Sequence, residues 1–163
     1  MAKAKTSSKL MGGTAAKAWK LAKAGTNYKV IGEMVGYTSS AIKLYVQRKY
    51  MEEATKLWAD NIKKVGHCEI PGCTRDDLNA HHLLEKSTWT HLRCDLSNGV
   101  CLCSYHHTFS KEIAAHGPLP ATEAFIDWLK ADRSGQYAWY LENKDNKSFH
   151  DIDFEKIYNE LTR

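Results

Sequence analysis

Three runs decide the fold: Cys68-Glu69-Ile70-Pro71-Gly72-Cys73, then Asn79-Ala80-His81-His82-Leu83-Leu84, then Leu96-Ser97-Asn98-Gly99-Val100-Cys101-Leu102-Cys103-Ser104-Tyr105-His106-His107. The 40 residues from Cys68 to His107 hold all 5 cysteines and 5 of the 8 histidines. Soft ligands at that density point to metal. Cys68 and Cys73 flank Pro71-Gly72, a turn that brings both sulfurs to one point. Cys103 and His106 offer a second pair, from the end of a strand and the first turn of the helix after it. Two such pairs make a closed tetrahedral Cys3His zinc site of the structural kind. It would staple a lobe with few apolar residues. Cys101 competes with Cys103 for the same place, but strand alternation and the Cys103-to-His106 spacing favour Cys103. Cys94 and Cys101 are then packing residues.

Working outward, Leu78–Leu84 reads as a strand and residues 85–97 as a long loop. Gly99–Cys103 reads as a second strand. A helix is predicted from Ser104 to about Ala115, stopped by Gly117-Pro118. His81, His82, Asn98 and His107 are not needed by the zinc site. Neighbours on a strand point to opposite faces, so the two adjacent histidines divide their labour: one ring binds a second metal and the other stays free as a base. His107 can reach the same metal. A cation with only two protein ligands keeps positions open for water and substrate oxygens.

With His81-His82, Asn98 and His107 framed by paired zinc ligands, residues 66–118 resemble the HNH endonucleases of the ββα-metal (His-Me finger) group. Leu96 to His107 is the most specific part. The resemblance implies His81 and His107 as ligands of a catalytic divalent ion, His82 as general base and Asn98 as the brace of the hairpin loop. The ion's identity stays open among Mg, Mn, Ni and Zn. Two departures stand out. Many members carry Cys-x-x-Cys-His where this chain has Cys103 to His107, so His106 stands in for a zinc cysteine. Relatives often place a further histidine one turn after the last ligand, where this chain has Lys111. His116 is read as a bystander, and His67, His91 and His150 as surface or satisfied histidines.

The chemistry has its own logic. Hydrolysing a phosphodiester needs an activated water, stabilised nonbridging oxygens and help for the leaving oxygen. An imidazole with a pKa near ~6.5 can take the water's proton at neutral pH, and a divalent ion can meet the other two needs.

Upstream, residues 1–50 carry +9 and residues 51–163 carry −5, within a net +4. A basic N-terminal third suggests a polyanion-binding region. Residues 1–13 read as a basic, mobile arm. Over 14–64 a helix starts at Thr14 and ends at Gly25, and a second spans about Asn27 to Val35 with Val30, Ile31, Met34 and Val35 inward. A third, capped by Ser39-Ser40, follows the turn Gly36-Tyr37-Thr38. Gly32 sits where the helices cross. This resembles a helix-turn-helix, and it would offer Ser39, Ser40, Lys43, Gln47 and Arg48 to the major groove of duplex DNA. The plainer reading is a three-helix lobe with a solvated face. Residues 51–64 continue as a helix. Phage-borne homing or nicking members of the family commonly join a nuclease module to such a domain.

The remainder, 119–163, reads as a C-terminal helical extension. Phe125, Ile126, Trp128 and Leu129 form one apolar face, and Phe154, Ile157, Tyr158 and Leu161 another. The fold class expected is therefore α+β: an N-terminal helical region, a zinc-stapled module over 65–118, and C-terminal helices. With 43% apolar residues among 163 the chain can build a core; wholesale disorder is excluded. No apolar run approaches the ~20 residues of a membrane span, and no signal-peptide core follows the basic start. A cytoplasmic, monomeric protein without a small-molecule cofactor is expected. The rival readings are a non-catalytic zinc-containing DNA-binding regulator and cleavage of RNA instead of DNA.

Overall fold

A computed structural model describes Lys5, Leu10, residues 12–147 and residues 152–163. Most of the arm expected over 1–13, and His150, lie outside the described residues. The chain is α+β and mostly helical, in two compact units. No helix among the described residues is long and apolar enough to cross a membrane.

The first unit takes the chain through Ala54 and adds Asp153–Arg163. It holds α1 (Gly12–Lys23), α2 (Tyr28–Val35), the first part of α3 (Ser39–Lys63) and a last helix, Phe154–Leu161. Asn27 caps α2 by accepting from the Lys29 N–H at 2.8 Å, and Gly36 ends it in the left-handed conformation at φ 74°. Gly32 permits the close crossing: a Cβ there would lie 2.5 Å from the Tyr37 carbonyl oxygen. Ala18, Ile31, Ile42, Val46 and Phe154 are buried together with Tyr45 and Tyr50. The last helix is tied in through Glu155, which accepts from the Tyr50 hydroxyl at 3.1 Å and the Tyr28 hydroxyl at 3.5 Å. It groups with the first unit.

Three local expectations are corrected. The first helix starts at Gly12, not Thr14. The cap of α3 is Thr38, whose hydroxyl accepts from Ala41 N–H at 3.3 Å, so Ser39 and Ser40 already belong to the first turn. On α2, Val30 and Met34 are 44% and 51% exposed. The helix buries Ile31 and Gly32, because the tight crossing at Gly32 turns that side inward and rotates Val30 and Met34 out.

The second unit runs from Thr55 to Ile152. Its sheet is an antiparallel pair, β1 (Leu78–His82) and β2 (Gly99–Cys103), in register from Leu78 opposite Cys103 to His82 opposite Gly99. Every residue of β2 is buried. Val100, Leu102 and Cys103 pack with Cys68, Ile70, Phe125, Trp128 and Leu129. The last three belong to α4 (Leu119–Asp132), which is followed by α5 (Ser134–Asn143). Arg133 pairs with Glu69, and Glu69 also accepts from the Cys101 N–H at 2.7 Å.

The helix expected from Ser104 to Ala115 is instead one π-helical turn, Tyr105–Phe109. Ser110 is the reason. Its backbone is extended, and its hydroxyl accepts from the N–H groups of Glu112 (3.2 Å) and Ile113 (3.1 Å), a local alternative to helical bonding. The chain then folds back over the turn. The His106 and His107 carbonyls accept from Ala115 and His116 at 3.0 and 2.9 Å.

Candidate functional site

The turn at Cys68–Cys73 closes with Cys73 N–H donating to the Ile70 carbonyl at 3.2 Å and Gly72 at φ 76°. Cys103 ends β2 and His106 lies in the π-helical turn, so four ligand atoms come within 4.8 Å of one another. His106 Nδ1 is 3.4 Å from Cys68 Sγ and 3.4 Å from Cys103 Sγ; Cys73 Sγ is 3.8 Å from Cys103 Sγ. Zinc bond lengths of ~2.3 Å to sulfur and ~2.0 Å to nitrogen imply tetrahedral edges of about 3.8 Å for sulfur pairs and about 3.5 Å for mixed pairs. These three edges of the cluster match a zinc-sized tetrahedron. Burial pushes the Cys68 thiol up to about 12; a cation would reverse that preference and draw the thiolate form. Cys101 stays outside the group, as the alternation of β2 requires.

A second cluster draws on the same turn. His81 from β1, His107 from the π-helical turn and His116 from the returning chain offer ring nitrogens within 4.8 Å of one another. Their ring centroids are 5.3 Å (His81 to His107), 4.8 Å (His81 to His116) and 5.0 Å (His107 to His116) apart. His116 is thus no bystander: the backbone bond from its N–H to the His107 carbonyl delivers it to the cluster. Proximity in sequence could not show this, because it depends on the π-helical turn. His81 is 5% exposed, and its Nδ1 is buried with no hydrogen-bond partner among the described residues. Burial, then the neighbouring charges of His116, His107 and His82, pushes its pKa down to about 3. Burial and His116 lower that of His107 as well. Three imidazoles gathered around an orphaned buried nitrogen suit a divalent cation, with three protein ligands where the sequence offered two.

His82 stands apart from this triad but lines the same cavity of about 530 Å³, with His81, His107, His116 and Lys86. Its Nε2 is 2.8 Å from the Arg93 carbonyl oxygen. A carbonyl only accepts, so Nε2 carries the proton and Nδ1 is the bare nitrogen. Burial lowers its pKa most, and the Lys86 and Arg93 charges add to that against the opposing Arg93 carbonyl bond. The ring stacks on Trp58 at 3.7 Å between centroids and 18° between planes. Asn98 is fully buried. Its Oδ1 accepts from Leu84 N–H at 2.7 Å, and its Nδ2 donates to the carbonyls of Leu84 (3.1 Å) and Leu92 (3.0 Å). It therefore ties together both ends of the loop that presents Arg93 to His82. In the sequence Trp58 falls within the helix read over 51–64, with no signal there that ties it to His82.

In the first unit, Ser39, Ser40, Lys43 and Arg48 are exposed and Gln47 is half-buried on α3. Arg48 lies 3.9 Å from Glu52. His67 is exposed, with its Nδ1 3.0 Å from the Val65 carbonyl oxygen, whereas His91 is half-buried. No protein-family model matches the chain, and no curated protein or solved structure matches it.

Proposed function

We propose that this protein is a metal-dependent DNA endonuclease of the ββα-metal, HNH kind. The observation that carries the reading is His82: its Nε2–H is committed to the Arg93 carbonyl, which leaves Nδ1 bare, and the residue lines a cavity together with three clustered imidazoles. His82 Nδ1 takes the proton of the attacking water, and the carbonyl of Arg93 steadies the imidazolium that results. His81, His107 and His116 would hold a divalent cation, which supplies Lewis-acid stabilisation of the phosphate charge. Lys86 adds a positive charge at the same cavity. Cys68, Cys73, Cys103 and His106 would hold structural zinc, fixing the π-helical turn from which His107 projects. Asn98 keeps the loop that aims the base.

For the partner, the +9 charge of residues 1–50 supports binding to a nucleic-acid backbone. The helical pair around Gly36 would present Ser39, Ser40, Lys43, Gln47 and Arg48 to duplex DNA. The test is incubation of the zinc-loaded protein with supercoiled plasmid and with RNA, in Mg2+, Mn2+, Ni2+ or Zn2+, with and without chelator. Metal-dependent relaxation or linearisation of the plasmid is the expected result. Cleavage of RNA alone would replace the substrate, and binding without cleavage in every metal would leave a regulator in place of an enzyme.

A further inference from the structure

Trp58 does more than fill the core. It lies on the last turns of α3, is 1% exposed, and donates its indole N–H to the Asp95 carbonyl at 2.8 Å. Its ring lies against that of His82 with the planes nearly parallel. The register explains how an indole reaches this place. His82 is paired with Gly99 across the hairpin. In an antiparallel pair the opposite residue ordinarily sets a side chain beside its partner, with Cβ atoms ~5 Å apart. Glycine leaves that place open, and a Cβ at Gly99 would lie 2.9 Å from Trp58 Cζ2 and 2.2 Å from the Ile62 Cδ1 methyl. The missing side chain and the incoming helix are one device.

We propose that Trp58, admitted by Gly99, is a positioning residue for His82: the indole fixes the plane of the imidazole so that Nε2–H stays on the Arg93 carbonyl and Nδ1 stays aimed into the cavity. The proposal rests on the reading of His82 as the base. One bond, from Nε2 to a carbonyl, leaves the ring free to swing about it. The stack on Trp58 removes that freedom. The Trp58 N–H bond to Asp95 anchors the indole in turn to the loop that carries Arg93. The two groups that meet the base, the indole and the Arg93 carbonyl, are thus fixed relative to one another, and Trp58 itself does not line the cavity.

The test has two arms, on the metal-loaded full chain. Nitrogen-correlated NMR of the native histidine rings should show His82 as one tautomer, protonated at Nε2, with that proton exchanging far more slowly than the ring proton of exposed His67 and with carbon-bound ring protons shifted by the indole. Trp58→Phe should keep the single tautomer, since it keeps an aromatic face and loses only the Asp95 bond. Trp58→Leu should mix the tautomers. In the cleavage arm, Trp58→Leu should lower kcat by roughly 10²-fold, the scale of a small misplacement of a catalytic group, with KM and metal content unchanged and with most of the rate restored in Trp58→Phe. In a His82→Ala background the same change should have no further effect on residual cleavage. A His82 ring proton exchanging as fast as that of His67 in the native protein overturns the proposal without any variant being made. So does an unaltered tautomer in Trp58→Leu, or an equal loss of rate with and without His82. A native chain that cuts no nucleic acid but holds His82 as described would overturn the nuclease reading and leave the positioning role standing.

Discussion

Replacing Asn98 by aspartate keeps the shape of the side chain and removes two of its three bonds. In the native chain Oδ1 accepts from one N–H, that of Leu84, while Nδ2 donates to two carbonyls, those of Leu84 and Leu92. Each buried bond contributes about 1 kcal/mol net, and a buried group left without a partner costs about 1–3 kcal/mol. Asn98→Ala gives up all three bonds and should lower stability by about 3 kcal/mol. Asn98→Asp retains the Leu84 N–H, but sets a carboxylate oxygen against two carbonyls at a fully buried position. Its loss should equal or exceed that of alanine despite the closer shape. Urea unfolding at fixed free zinc, followed by tryptophan fluorescence, reads the difference. An Asn98→Asp protein within about 1 kcal/mol of native would refute the assignment of the amide and its role as a brace. Both variants should also cleave more slowly, because the loop carrying the Arg93 carbonyl is released.

Further outcomes follow from the same geometry. Removing the cation from the Cys3His cluster with a strong chelator, or substituting Cys103→Ser, should unfold the second unit, read as loss of near-UV circular dichroism from Trp58 and Trp128. His116→Ala should weaken binding of the second divalent ion by at least about tenfold, as loss of one of three ligands implies, while one tightly held zinc remains by elemental analysis. Because burial lowers the His82 pKa, its ring is unprotonated to a lower pH than an ordinary histidine. The acid limb of the cleavage rate should therefore fall below ~6.5, and a limb at or above that value would contradict the environment described.

Much of this was legible in the sequence because it depends on short-range spacing. The Cys68–Cys73 turn and the Cys103–His106 pair set their own geometry, and the two strands were read from the runs Leu78–Leu84 and Gly99–Cys103 on either side of the loop over 85–97. Gly32 and Gly36 likewise marked a tight crossing and a helix end that the structure contains. What escaped reading depends on distant partners. His116 joins the cluster only because Ser110 stops the helix and the chain returns over the π-helical turn. Trp58 stacks on His82 only because β1 and β2 pair in a register that sets Gly99 opposite. On α2, hydrophobicity could not decide which stripe faces inward, since Val30 and Met34 are as apolar as Ile31; the Gly32 crossing decides it. The last helix packs with the first unit through Glu155, a charged residue that an apolar pattern passes over.

The most direct measurement is the single-turnover rate of plasmid cleavage by His82→Ala beside the native protein, both carrying the same two cations per chain and binding DNA equally well. A fall of roughly 10²–10⁴-fold, the contribution of a general base, is the result predicted by a base at residue 82 acting beside the His81, His107 and His116 cluster. Native-like cleavage by the variant would contradict it.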